Sequence, residues 1–105
     1  MVILTHKQME DLAEILKKVS EASGIEEKDI KGKSQKDEFL VARQITCFIA
    51  CNITDHRGRR RYSYTRIGKE ICRNRTTIHR AAEVVKDMLY TRERKYVELY
   101  NKLME

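Results

Sequence analysis

The sequence predicts an all-α fold, a small helical bundle carrying a helix-turn-helix, on three observations. Proline is absent and only four glycines occur in 105 residues, so helices are unobstructed and a turn-rich β fold is disfavoured. Apolar residues recur at helical spacing along most of the chain. The stretch from Tyr62 to Val85, YSYTRIGKEICRNRTTIHRAAEVV, has the pattern of two short helices joined by a tight polar turn. A chain of this length is expected to form one domain with a modest core and no staples.

The elements follow in order. Thr5-His6-Lys7-Gln8 fits a capping box, with Leu4 and Met9 as its hydrophobic staple. Met9, Leu12, Ala13, Leu16 and Val19 then give the first helix its apolar stripe, widened by Ile15, and Gly24-Ile25 reads as a left-handed cap. A short turn of helix around 26–30 and a polar connection, 31–36, lead to a longer helix from Asp37 to about Ile53. Phe39, Leu40, Val41, Ile45, Phe48, Ile49 and Ile53 make it apolar on most sides, which places it centrally. Arg43-Gln44 interrupts that surface and is expected to face solvent or a DNA backbone. These scaffold helices span 5–53, and a basic loop covers 54–62.

The helix-turn-helix is assigned to 63–88. Ser63 suits the N-cap of a short helix through about Ile71, with Ile67 and Ile71 inward. Cys72-Arg73-Asn74 makes the turn, and Asn74 suits the next N-cap. Ile78, Ala81, Ala82, Val85 and Leu89 form the buried stripe of the second helix; Thr76, Arg80 and Glu83 lie opposite, flanked by Thr77 and His79. A last helix at 91–103, with Tyr96, Val97, Leu99, Tyr100 and Leu103, packs either on the first helix or in a dimer seam.

Charge narrows the function. The net charge is +6, unevenly spread: residues 1–38 hold seven Lys/Arg against nine Asp/Glu, residues 39–82 ten against two, and residues 83–105 five against five. One contiguous basic segment on a near-neutral scaffold is the footprint of a polyanion site. Apolar runs never reach the length of a membrane span, so no membrane partner is expected. Three cysteines, an odd number, argue against a disulfide framework and for a reducing cytoplasm.

The second helix of a helix-turn-helix reads bases from its N-terminal turn in the major groove. Arginine pairs with guanine O6/N7, asparagine with adenine N6/N7, and threonine offers its methyl to thymine. Arg73, Asn74, Arg75, Thr76 and Arg80 therefore have the chemistry for base readout of double-stranded DNA. Arg59, Arg60 and Arg61, beside Tyr62 and Tyr64, suit phosphates and set affinity more than specificity. Lys69, His79 and Arg43 are further candidates for the phosphate backbone. Cys47 and Cys51, one turn apart, with Cys72 and His56, match no common structural zinc spacing, and no metal or other cofactor is expected. No nucleophile–base pair or carboxylate cage stands out, so no enzymatic activity is expected.

These residues resemble the C-terminal DNA-binding domain of the bacterial replication initiator DnaA, a Trp-repressor-like helix-turn-helix module. That family's Arg-Asp-His-Thr-Thr-Val signature, followed by His-Ala, is similar to Arg73-Asn74-Arg75-Thr76-Thr77-Ile78 and Arg80-Ala81 here. Its Ala-Arg-Gln element resembles Ala42-Arg43-Gln44, and its Ser before Ile-Gly resembles Ser63 with Ile67-Gly68. The resemblance covers roughly Val19 to Val85. It implies that Arg73, Asn74, Arg75 and Thr76 contact bases or flanking phosphates, and that Thr77 serves the phosphate backbone or the turn. It also implies that Lys31, Lys33 and Lys36 occupy the place of the basic loop that reaches the adjacent minor groove. Asn74 replaces an acid and Arg75 a histidine, so the family's own DNA box need not be the target. A glycine before the signature is missing, and Arg57 and Arg59–Arg61 are added. The chain has no phosphate-binding glycine loop and no ATPase domain, so ATP-driven initiation is not expected of it. The role implied is replication-initiation control or transcription regulation, with a homodimer or a replication or transcription protein left open as partner. The rivals are RNA binding through the arginine loop and a protein-interaction module in which Tyr90, Tyr96 and Tyr100 form the surface.

Overall fold

The structure, a computed structural model, describes residues 11–55 and 57–104. Six helices follow one another: α1 Leu12–Ser23, α2 Glu27–Lys31, α3 Asp37–Asn52, α4 Tyr64–Ile71, α5 Arg75–Tyr90 and α6 Arg94–Met104. Among the described residues the β structure is one isolated antiparallel bridge, Thr54 to Arg60.

The first described helix, α1, starts at Leu12. Asp11 is extended and its Oδ1 accepts the Glu14 amide at 2.8 Å, so the aspartate caps α1. The expected capping box at Thr5–Gln8 and the Leu4–Met9 staple lie outside the described residues. Leu12, Ile15, Leu16 and Val19 are buried at the spacing foreseen. Gly24, at φ +75°, ends the helix and donates its amide to the Ser20 carbonyl at 2.9 Å.

α3 is the hub of the bundle. Val41 to Ala50 are buried except Gln44, because the other helices surround it and leave little of its surface to water. Ile45, Phe48 and Ile49 meet Ile15, Leu16 and Val19 of α1 and Ile78 and Val85 of α5 in one core. Burying each such side chain contributes about 1.5–3 kcal/mol.

Arg43 requires a correction. It is 5% exposed and so does not face solvent as expected. Its Nε donates to the Ile30 carbonyl at 2.7 Å, and its Nη2 to the carbonyls of Asp29 at 3.3 Å and Ser34 at 3.2 Å. A helix end leaves its last carbonyls without intrahelical partners. Arg43 satisfies those of Asp29 and Ile30 in α2 and that of Ser34 in the connection, so that main-chain oxygens, not a carboxylate, are its hydrogen-bond acceptors among the described residues. Burial, and secondarily the neighbouring Arg73, holds its pKa below the ordinary arginine value.

Of the two placements open to the last helix, the structure shows packing within the chain. Tyr96, Leu99 and Leu103 of α6 are buried against α1, α3 and α5. The Tyr96 hydroxyl donates to Gln44 Oε1 at 2.6 Å, and Tyr100 meets Phe48 edge-on at 6.0 Å. The tyrosine surface considered for a protein partner is thereby reduced: Tyr96 is buried and Tyr100 half-buried, leaving Tyr90 exposed. No helix of the described residues is long and apolar enough to cross a membrane.

The arginine loop is a closed hairpin rather than an open connection. The Arg61 amide donates to the Ile53 carbonyl at 2.9 Å and the Asp55 amide to the Arg59 carbonyl at 2.8 Å. Asp55 organises the tip: its Oδ1 accepts the Arg57 amide at 2.8 Å and the Arg59 amide at 3.1 Å. Gly58 supplies the left-handed residue at φ +78°.

Candidate nucleic-acid interface

The helix-turn-helix is built by two side-chain caps and one close backbone approach. Ser63 Oγ accepts the Arg66 amide at 3.1 Å and starts α4. Ile67 and Ile71 anchor α4 in the core. Cys72 takes the left-handed conformation, φ 60° and ψ 45°, and the Arg73 amide donates to the Gly68 carbonyl at 2.9 Å. Asn74 Oδ1 then accepts the Thr77 amide at 2.8 Å and starts α5. Gly68 is needed because the turn folds back onto it; a Cβ there would lie 2.2 Å from the Arg73 carbonyl oxygen.

Cys72 occupies a position that favours glycine. A left-handed residue with a Cβ costs about 1–2 kcal/mol, offset in part by the greater freedom of glycine in the unfolded chain. Cys72→Gly is expected to raise stability by about 0.5–1 kcal/mol in urea denaturation; a loss of stability would contradict the conformational reading.

From that turn α5 presents its first two turns outward. Ile78, Ala81 and Val85 are buried, while Arg75, Thr76, Thr77, His79 and Arg80 are exposed. Lys69 of α4 is exposed beside them, and with Thr65, Cys72, Asn74 and Arg75 it lines an open cleft between the two helices. The N-terminal end of a helix carries partial positive charge and amides suited to phosphate.

Two predicted readers change role. Arg73 is turned inward: Nη1 donates to the carbonyls of Lys31 at 3.1 Å and Cys72 at 2.9 Å, with Ile71 at 3.5 Å, and Nη2 donates to Gly32. Its guanidinium edge is spent on main-chain acceptors, which removes the fork a guanine needs. Asn74 remains exposed, but its Oδ1 is committed to the cap, so the bidentate adenine pairing is lost and Nδ2 alone can reach a base.

Basic loops flank α5. On one side the hairpin is pinned to the helix pair, with the Arg60 guanidinium 4.0 Å over the Tyr64 ring. Tyr64 in turn meets the His79 ring edge-on at 5.3 Å, and His79 Nε2 lies 3.9 Å from Glu83 Oε1. Arg57, Arg59, Arg60 and Arg61 are all exposed on this hairpin. On the other side the α2–α3 connection, with Lys33 and Lys36 exposed, is tied to the turn through Arg73. The pinning role of Tyr64 was not read from the sequence, although an aromatic three residues beyond an arginine run is a signal that could have found it.

Burial, with Cys51 nearby, pushes the Cys47 thiol up to about 12, and burial pushes Cys51 to about 11, so both keep their protons at neutral pH. His56, considered with them as a zinc ligand, lies outside the described residues. Among the described residues no three His, Cys, Asp or Glu side chains gather as a metal site requires.

Among curated proteins none matches the chain. Residues 12–85 match the family model of the bacterial DnaA protein helix-turn-helix, from the first residue of α1 into the C-terminal half of α5. A match of that extent, over helices that build the caps, the turn and the exposed cationic face, places the chain in the bacterial DnaA helix-turn-helix family, a family of DNA-binding domains.

Proposed function

We propose that the protein is a sequence-specific, non-catalytic binder of double-stranded DNA, acting in replication-initiation control or transcription regulation. The observation that carries this reading is the exposed N-terminal face of α5, cationic and lying between two basic loops. Arg75, Thr76 and Arg80, joined by Nδ2 of Asn74, are the base readers. Lys33, Arg59, Arg60, Arg61, Lys69, Thr77 and His79 are the phosphate contacts. Each good base pairing adds about 1–3 kcal/mol of discrimination, and each phosphate contact adds about 0.9 to the salt slope without reading sequence. The 105 residues contain no glycine-rich phosphate loop, and the reading assigns them no nucleotide hydrolysis.

Arg75→Ala and Lys69→Ala separate readout from attraction. On a selected site and on single-base variants of it, Arg75→Ala is expected to flatten the preference at one position, a loss of roughly 10-fold or more in discrimination. Lys69→Ala is expected to weaken all duplexes by the same factor, roughly fivefold at 0.15 M salt. Equal losses on every sequence for both variants would mean that α5 reads no bases.

A further inference from the structure

The α2–α3 connection is held by two guanidiniums whose hydrogen-bond partners among the described residues are main-chain carbonyls. Arg43, from α3, takes the carbonyls of Asp29, Ile30 and Ser34. Arg73, from the turn of the helix-turn-helix, takes the next two, Lys31 and Gly32, while its Nη1 also bonds the carbonyl of Cys72 in its own turn. One side chain thus ties the connection to the turn across more than forty residues of sequence. Both arginines line a cleft of about 310 Å³ between α3 and α5, bordered by Gln35 of the connection and by Thr77 and Arg80 of α5. Lys33 and Lys36, exposed, lie on the same connection on either side of Gln35 in sequence.

We infer that Arg73 is a positioning residue for DNA recognition: its planar fork locks the lysine-bearing α2–α3 connection against the start of α5, so that both meet the duplex as one pre-set surface. The inference rests on the DNA-binding reading above. Fixing a free segment of chain costs about 1–2 kcal/mol per residue in backbone entropy. A connection already fixed in the free protein loses none of that on binding. The fork is the essential property. A guanidinium presents several N–H groups in one plane and can reach acceptors on two segments at once, whereas an ammonium is a point charge on a flexible stem. If Arg73 instead faced phosphate as a charge, lysine would replace it.

The test combines amide hydrogen exchange on the free protein with duplex binding, using Arg73→Gln, Arg73→Lys, Lys33→Gln with Lys36→Gln, and Arg73→Gln added to that pair. Both Arg73 variants are expected to speed exchange of amides 32–36 by roughly tenfold or more while amides of α3 stay protected, which shows the fold intact. Both are expected to weaken binding by similar factors, roughly fivefold to tenfold, with Arg73→Gln nearly neutral once Lys33 and Lys36 are gone. Wild-type affinity in Arg73→Lys, an undiminished Arg73→Gln loss without the two lysines, or unchanged exchange at 32–36 would each overturn the inference. A protein that binds no duplex at any salt would overturn the DNA reading and the purpose of the lock with it. The exchange result would still decide whether Arg73 holds the connection.

Discussion

Gly68→Ala is expected to lower the free energy of unfolding by about 3 kcal/mol, the high end of what overpacking usually costs. The added Cβ would meet the Arg73 carbonyl oxygen at 2.2 Å and the Arg73 carbonyl carbon at 3.3 Å. Both are backbone atoms, so no side chain can swing aside to make room. The turn would have to lift from α4, disturbing the Asn74 cap and the Arg73 bonds to Lys31 and Gly32. Gly24→Ala is the control: it has open space around its Cβ position but a φ of +75°, so it carries only the conformational cost of about 1 kcal/mol. Urea midpoints measured for both should separate them clearly. If Gly68→Ala costs no more than Gly24→Ala, the close approach is not what fixes the turn.

The largest effect on binding is expected from Arg59→Ala, Arg60→Ala and Arg61→Ala combined. Three lost phosphate contacts would lower the slope of log affinity against log salt by about 2.7 and weaken binding roughly a hundredfold at 0.15 M salt. Relative preference among sequences should be unchanged, since backbone contacts position and do not read. Because Arg60 stacks on Tyr64, which contacts His79, its loss also releases the hairpin from the helix pair. Tyr64→Leu, which keeps every charge, should therefore reproduce a smaller part of the affinity loss with little change in salt slope. A triple variant with wild-type slope would mean that the hairpin never touches DNA.

Much of the fold was legible because its determinants are local. The caps Ser63 and Asn74 act on amides three residues ahead, and Gly24 acts on the carbonyl four residues behind. The apolar stripes of α1, α3 and α5 needed only helical periodicity. The Asp11 cap of α1 was not singled out, although Asp11-x-x-Glu14 carries the same start signal as Thr5-x-x-Gln8, which lies outside the described residues. The hairpin carried a signal that went unread: Asp55 three residues before Gly58 is turn chemistry.

The exposed part of the interface was legible for the same local reason. Thr76 and Arg80 lie opposite the Ile78 stripe, and a stripe fixes its opposite face, while Arg75 is exposed as the first residue of α5. Arg43 and Arg73 were not legible, and the cause is physical. Their distant partners are main-chain carbonyls between 9 and 42 residues away, at the end of α2 and in the connection after it. A sequence shows an arginine's charge but not which helix end will need its donors. The family resemblance carried the same ambiguity, because matching an arginine to a motif position does not say which way it turns.

Sequence-specific duplex binding through the start of α5 can be measured by selecting bound sites from a random duplex library. The affinity of the selected duplex is then titrated against an unselected one across salt. The selected site is expected to be bound roughly a thousandfold tighter or more at physiological salt, with both affinities falling steeply as salt rises. Equal affinity for selected and unselected duplexes, or no binding to either at low salt, would contradict it.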